Sequence, residues 1–242
     1  MRLRQVGDVV EIIEGDVATI HRVMRTNMGS LPGQEKVLGY PPSHRALFER
    51  FGGIRPVLFA DAFEGLAWAI LGQQITVALA SRMKEAVARR FGTVIDVGSH
   101  PLFVFPSASM LAGATVDELR ALKLSGQKAQ TLLNVAREID TGIWDIGRMT
   151  TVSTDEAFLE LTRFKGIGPW TAEYSLLRTF GHPDVLPAGD VALRRAWERI
   201  TAQQTVTEAE LRLAGNQWRG MKSDFAFWLW LDNFVRRPVR QV

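Results

Sequence analysis

One segment restricts the fold of this chain more than any other, and it reads LTRFKGIGPWTAEY from Leu161 to Tyr174. Gly166 and Gly168 lie two residues apart, so the backbone can turn sharply after a helix that ends near Thr162. Pro169 follows at once, and proline suits the first position of a helix because its missing N–H is not needed there. The segment therefore predicts two helices joined by a tight hairpin.

The predicted hairpin offers a place for an anion. We expect the amides of Gly166, Ile167 and Gly168 to point outward beside the first amides of the second helix, where the helix dipole attracts negative charge. Lys165 and Thr171 complete this predicted phosphate site. Phosphate contacts hold DNA without reading its sequence. An ordinary helical hairpin without a ligand is the other interpretation, and the glycine spacing alone favours it.

The remainder of the chain predicts helices joined by short loops. Three residue pairs have the spacing of a capping box: Asp61 with Glu64, Ser153 with Glu156, and Thr207 with Glu210. Apolar residues at helical spacing predict helices over about 77–90, 116–122, 128–139 and 191–200. Strands and helices do not alternate, so the predicted fold class is mainly α, with at most a few N-terminal strands, for which 9–13 is a candidate.

Composition excludes several kinds of site. The chain has 242 residues and no cysteine, so it has no disulfide, no cysteine nucleophile and no zinc site or iron–sulfur cluster held by thiolates. Its 29 basic residues against 26 acidic ones fit a polyanionic partner without requiring one. The four histidines lack ligand spacing, so no metal site is predicted. No stretch approaches the roughly 18 apolar residues of a membrane span, so we expect a cytoplasmic protein without a membrane partner.

Asp190 lies in the segment LPAGDVALRRA, after a loop with proline and glycine and before the helix predicted at 191–200. Aspartate is among the most common residues at a helix N-cap, so capping is the first interpretation. A carboxylate at this position is also favoured in its ionised form by the helix dipole. The spacing alone therefore predicts a cap and leaves a chemical role open.

Five segments together resemble the helix-hairpin-helix (HhH-GPD) DNA glycosylase superfamily, and within it the branch of the bacterial 3-methyladenine DNA glycosylase II. They are DAFEGLAWAILGQQIT (61–76), Phe105-Pro106, LSGQKAQTLLNVA (124–136), FKGIGPWTAEY (164–174) and LPAGDVALRRA (186–196). The resemblance implies a two-lobed helical domain over 53–242, with the hairpin region at about 155–180. Residues 1–52 would then be a truncated or remodelled N-terminal segment.

The resemblance implies that Asp190 is the catalytic carboxylate of a monofunctional glycosylase acting on alkylated bases in duplex DNA. Such an enzyme rotates the damaged nucleotide out of the helix and hydrolyses its N-glycosidic bond. An ionised Asp190 could stabilise positive charge on the sugar and orient the attacking water. A cationic alkylated base leaves readily, so a second acid is not required, and Glu173 is a candidate that more often faces solvent.

Aromatic residues and glutamines complete the implied site. Trp170, Tyr174 and Trp230 are predicted to line a base pocket, although each could instead belong to the core. Gln73 and Gln74 are the candidates for insertion into the base stack, where relatives carry an apolar wedge after the Gly-Gln pair.

A departure from the family pattern bears on whether the enzyme also cleaves the DNA backbone. Relatives that also cleave the backbone place a lysine two residues after the second hairpin glycine, and this chain has Trp170 there. We therefore expect no lyase step at that position. No cofactor is expected, although the resemblance implies that hairpin carbonyls could hold a monovalent cation. The expected partner is double-stranded DNA with damaged bases, bound by a monomer, which would be nucleoid-associated if the protein is bacterial.

Two alternatives stay open on sequence. One is a non-catalytic helix-hairpin-helix protein that binds damaged DNA without releasing a base. The other is an oxidised-purine glycosylase with lyase activity, in which Lys165 or Lys222 would have to serve as the nucleophile.

Overall fold

A computed structural model describes residues 2–6, 9–14, 39–97 and 100–236 of the chain. Most of these residues are helical, which confirms the predicted mainly α class. The helices are α1 (Pro42–Phe51), α2 (Ala62–Gly72), α3 (Val77–Phe91), α4 (Ala108–Ala112), α5 (Val116–Ala121), α6 (Gly126–Asp140), α7 (Thr154–Thr162), α8 (Pro169–Ser175), α9 (Val191–Thr201), α10 (Glu208–Gly215) and α11 (Lys222–Val235). Short 3₁₀ turns occupy Ile146–Thr150 and Asn216–Trp218, and a π turn at Leu176–Phe180 continues α8.

Two antiparallel strand pairs accompany the helices. β1 (Arg2–Val6) pairs with β2 (Val9–Glu14), where a strand was expected from the sequence. β3 (Thr93–Val97) pairs with β4 (His100–Val104), so that Ile95 lies opposite Leu102. This second hairpin lies between helices and adds to the N-terminal strands that the sequence predicts.

Several helices begin at the side-chain N-caps that the sequence predicts. The Asp61 carboxylate accepts a hydrogen bond of 2.7 Å from the Glu64 amide, and Thr207 and Glu210 form a reciprocal capping box. The predicted ranges 77–90, 116–122, 128–139 and 191–200 coincide with α3, α5, α6 and α9 to within two residues at either end. Local sequence patterns thus suffice to predict these helices.

The chain divides into two compact units. The central unit comprises Asp61–His182, and the flanking unit combines Met1–Ala60 with Pro183–Val242. The sequence-based division into 1–52 and 53–242 stays a prediction, and residues 15–38 of its first part lie outside the described residues.

α2 is the core helix of the central unit. Its residues Leu66, Ile70 and Leu71 are fully buried, and the helix packs against α3, α6 and α8. Burial of a leucine or isoleucine side chain contributes about 1.5–3 kcal/mol, so this packing fixes α2 firmly beside the hairpin helix α8.

The flanking unit is organised around α11. Trp228 is fully buried, and its indole N–H donates to the Ile54 carbonyl at 2.7 Å. Asp232 is also fully buried and pairs with three arginines, Arg50, Arg199 and Arg236. α9 packs against α11, which places the helix that follows Asp190 on the core helix of this unit. Among the described residues, no helix is both long and apolar enough to cross a lipid bilayer.

Candidate functional site

The hairpin between α7 and α8 forms as predicted. Gly166 has a φ of +99°, a left-handed conformation that favours glycine. A Cβ atom at this position would lie 2.0 Å from the Thr131 Oγ1, so the residue has no room for a side chain. Gly168 differs, because its φ of −89° suits any residue and a Cβ there would meet no atom within 4 Å. Gly166 is therefore required by the fold, whereas Gly168 presents an exposed stretch of backbone.

Two of the residues predicted to contact phosphate are turned toward the protein. The Ile167 amide donates to the Phe164 carbonyl at 3.0 Å, and the Ile167 side chain is buried. The prediction that this amide points outward is therefore wrong, because the turn itself uses its hydrogen bond. The Thr171 hydroxyl is buried and accepts a hydrogen bond from the Gln73 amide group at 2.9 Å. Lys165 and Gly168 are exposed, as a phosphate site requires.

The two glutamines after α2 have different environments. The Gln73 Nε2 donates to the Gly166 carbonyl at 2.8 Å as well as to Thr171. These bonds occupy Gln73 inside the protein, which contradicts its predicted insertion into DNA. Gln74 is exposed and has a left-handed φ of 56°. The insertion hypothesis is therefore confined to Gln74.

An aromatic cluster lies on α2 and α8. The rings of Trp170 and Tyr174 are 5.4 Å apart between centroids and tilted by 36°. The indole N–H of Trp68 donates to the Tyr174 hydroxyl at 2.9 Å. All three side chains are partly exposed, whereas Ala67 and Ala69 beside Trp68 are buried. Sequence reasoning missed Trp68, and its large ring within a run of small apolar residues was the available signal.

A cation lies near the edge of this cluster. The Lys84 ammonium group is 6.0 Å from the centroid of the Trp68 ring, and it also forms an ion pair with Glu64. Glu64 thus compensates the ammonium charge beside the aromatic cluster.

Asp190 is the N-cap of α9, as the sequence predicts. Its Oδ1 accepts hydrogen bonds from the Ala192 amide at 2.7 Å and from the Leu193 amide at 3.2 Å. Its own amide donates to the Pro187 carbonyl at 2.9 Å and closes the preceding turn. The carboxylate is thus fixed in position while its side chain stays partly exposed.

Trp230 lies in the same unit as Asp190. Asn233 on α11 donates from its side chain to the Ala192 carbonyl, so this part of α11 lies beside the first turn of α9. Trp230 is one turn earlier on the same helix and is partly exposed. Its role in a base pocket stays a prediction from the sequence.

The two lysines that could serve as alternative nucleophiles lie in different environments. Lys222 lies 3.6 Å from the Asp184 carboxylate, and Lys165 is exposed on the hairpin. Within the part of the chain that the structure describes, no group of three or more His, Asp or Glu side chains could hold a metal ion.

Comparison with known proteins identifies relatives of this arrangement. A family model described as "HhH-GPD superfamily base excision DNA repair protein" matches residues 67–219. The DNA-3-methyladenine glycosylase of Bacillus subtilis is 30% identical over 182 residues, which is 75% of this chain and 60% of the relative. DNA-3-methyladenine glycosylase 2 of Escherichia coli is 30% identical over 186 residues, covering 75% of this chain and 62% of the relative. The chain thus spans about three fifths of the length of these relatives.

A solved structure resembles the chain over nearly its whole length. The 3-methyladenine DNA-glycosylase from Archaeoglobus fulgidus superposes with a TM-score of 0.78 at 30% identity, covering 94% of this chain and 79% of that protein. These matches confirm the resemblance drawn from the five sequence segments.

Proposed function

Because the chain belongs to the HhH-GPD superfamily of base excision DNA repair proteins, we propose that it is a monofunctional DNA glycosylase for alkylated bases of the 3-methyladenine type. The observation that carries this proposal is Asp190, a carboxylate held at the first turn of α9 within the matched residues. The names of the two bacterial relatives support the choice of alkylated bases. The proposed partner is damaged double-stranded DNA, bound by a monomer.

The proposed chemistry follows from the charge of Asp190. As the N-glycosidic bond breaks, positive charge develops on the sugar, and a carboxylate already fixed by two amides stabilises it without reorganising. Asp190 also accepts a hydrogen bond from the attacking water, whose oxygen bonds to C1′ as the base departs with the bonding electrons. The water then loses one proton through Asp190 to the solvent. A base that carries a positive charge leaves as a neutral molecule, so no acid has to protonate it.

The proposed base pocket is aromatic. Trp170 and Tyr174 would stack on the flipped base, and Trp68 would support Tyr174 through its indole N–H. The contact of Trp230 with the base stays a prediction from the sequence. A cationic alkylated purine gains roughly 0.5–2 kcal/mol from such rings beyond its ordinary burial. This preference separates alkylated purines from normal neutral ones.

The hairpin is the proposed contact with the DNA backbone. Lys165 and the backbone at Gly168 are exposed, and Gly168 leaves room for a phosphate oxygen to approach the chain closely. Such contacts are independent of base sequence, as a search for rare lesions requires. Gln74 would then enter the space that the flipped base vacates.

Duplexes with one 3-methyladenine, 7-methylguanine, hypoxanthine or ethenoadenine test the proposal. The protein is incubated with each, and half of every sample is treated with alkali before strand breaks are measured. Breaks that arise only after alkali are expected, because base release leaves an intact backbone. Breaks without alkali would instead support a lyase, and tight binding without released base would support a non-catalytic damage-binding protein.

A further inference from the structure

The turn after α2 is held by an ammonium group from α6. The Lys128 Nζ donates to the Leu71 carbonyl and to the Gln73 carbonyl, both at 2.8 Å. Carbonyls at the end of a helix lack partners within the helix and carry the negative end of its dipole, so a lysine suits them well. Partial burial lowers the pKa of Lys128. The two hydrogen bonds of Lys128 fix the main chain of the turn that carries Gln74.

Gln73 joins the same turn to the hairpin. Its Nε2 donates to the Gly166 carbonyl at 2.8 Å and to the Thr171 Oγ1 at 2.9 Å, which uses both hydrogens of the amide. A carbonyl can only accept, so the contact with Gly166 fixes which end of the Gln73 amide faces the hairpin. One side chain therefore ties the turn to both the hairpin loop and α8.

The hairpin is also attached to α6. The Thr131 hydroxyl lies within hydrogen-bond distance of the Lys165 carbonyl, at 3.0 Å, and of the Gln127 carbonyl, at 2.9 Å. Thr131 follows Lys128 by three positions, so both side chains lie on one face of α6. That face contacts the turn after α2 through Lys128 and the hairpin through Thr131.

We propose that Gln73 and Lys128 are positioning residues that hold Gln74 in a fixed position relative to the DNA-binding hairpin. A phosphate bound at the hairpin then fixes where Gln74 meets the base stack, because the hydrogen bonds of Gln73 and Lys128 connect the turn to the hairpin and to α6. This inference rests on the proposed function of the hairpin and of Gln74. It adds a link between backbone binding and base extrusion that neither residue provides alone.

A fluorescent DNA duplex can show whether Gln73 positions Gln74 or only contributes to the stability of the protein. 2-Aminopurine placed next to the lesion brightens when the adjacent base leaves the stack, and this signal does not require base release. We expect Gln73→Ala to lose most of the brightening and to lower the single-turnover rate of base release about tenfold, which is the effect of losing hydrogen bonds to a fixed partner. Binding to an undamaged duplex should change less than about twofold, because the exposed phosphate contacts stay in place.

A double-mutant cycle decides whether Gln73 acts through Gln74. If it does, Gln73→Ala combined with Gln74→Ala should be no worse than Gln74→Ala alone. If the rate losses of the two single variants multiply in the double variant, the proposal is overturned. Full brightening of the duplex by Gln73→Ala would overturn it as well. Lys128→Arg keeps a cationic donor and should retain the brightening, whereas Lys128→Met should lose it with a thermal midpoint near that of the wild type.

Gln130→Ala is the matched control. This glutamine lies on α6 and donates to Asn134 on the exposed face, outside the network. Its substitution should change neither the brightening nor the rate of base release. If the wild-type protein brightens the duplex but releases no base, the proposed glycosylase activity fails while the positioning role stands. If it releases base and Gln73→Ala brightens normally, the positioning role alone fails.

Discussion

Asparagine caps a helix about as well as aspartate does but carries no charge. The substitution Asp190→Asn therefore separates the capping role of Asp190 from its proposed catalytic role. In Asp190→Asn the side-chain oxygen can still accept from the Ala192 and Leu193 amides, so the first turn of α9 is preserved. The negative charge is lost, and with it the stabilisation of the developing cation. A cap alone and a catalytic carboxylate therefore predict different results for one substitution.

We expect Asp190→Asn to lower the single-turnover rate of base release about 10²-fold to 10³-fold, which is the effect of losing one electrostatic contact to the transition state. The free energy of unfolding should change by less than about 0.5 kcal/mol, and binding to DNA with an abasic site should persist. Base release and denaturant unfolding measure both effects. Excision at the wild-type rate would contradict the catalytic assignment.

Trp68 is the residue-scale feature that sequence reasoning missed. Its hydrogen bond to Tyr174 joins residues 106 positions apart, and no local pattern predicts such a contact. We expect Trp68→Phe, which keeps a ring but loses the N–H, to slow excision by roughly threefold to tenfold, the value of one hydrogen bond. Tyr174→Phe is the control, and the double variant should be no slower than the slower single one. Independent, multiplying losses would count against the link between the two side chains.

The hairpin is the element that the sequence predicted most completely. Gly166 and Pro169 specify its turn, and caps specify α9 and α10 in the same way. The β3–β4 pair was not predicted, since TVIDV is too short to distinguish a strand from the end of a helix and the pairing depends on a second segment. The bonds of Gln73 and of the Ile167 amide also depend on tertiary contacts and tight turn geometry, which spacing does not reveal.

Substitution of the two hairpin glycines by alanine should have different effects on stability and on DNA binding. Gly166→Ala meets Thr131 and requires a left-handed conformation, so we expect it to lower the free energy of unfolding by about 1–3 kcal/mol. Gly168→Ala has room in the protein, so its unfolding free energy should change by less than about 1 kcal/mol. The added methyl group projects toward the proposed phosphate, and binding to damaged and undamaged duplexes should weaken equally. Salt-dependent binding measures this loss, and a loss confined to one lesion would contradict the phosphate role.

At the scale of the whole molecule, residues from distant parts of the chain build the flanking unit. Arg50 and Asp232 form an ion pair, and Arg55 lies 3.2 Å from the Asp224 carboxylate. Asp224 is almost fully buried, and among the described residues its Oδ1 has no hydrogen-bond partner. Such a pair links the segment before the central unit to α11, and its charge makes the stability of the flanking unit sensitive to pH.

Burial raises the pKa of Asp224 to about 6, and Arg55 only partly opposes this effect. Since the pKa in the unfolded chain is about 3.9, the folded protein keeps this proton between the two values. The resulting stabilisation is fully present below about pH 4 and is lost as the pH rises through about 6. Asp224→Asn cannot titrate, so the free energy of unfolding of the wild type minus that of the variant should fall by about 1–3 kcal/mol from pH 4 to pH 7. Urea unfolding at several pH values measures this difference, with Asp184→Asn as a control at a partly exposed carboxylate. A difference that is constant with pH would show that the pKa of Asp224 is the same in the folded and the unfolded protein.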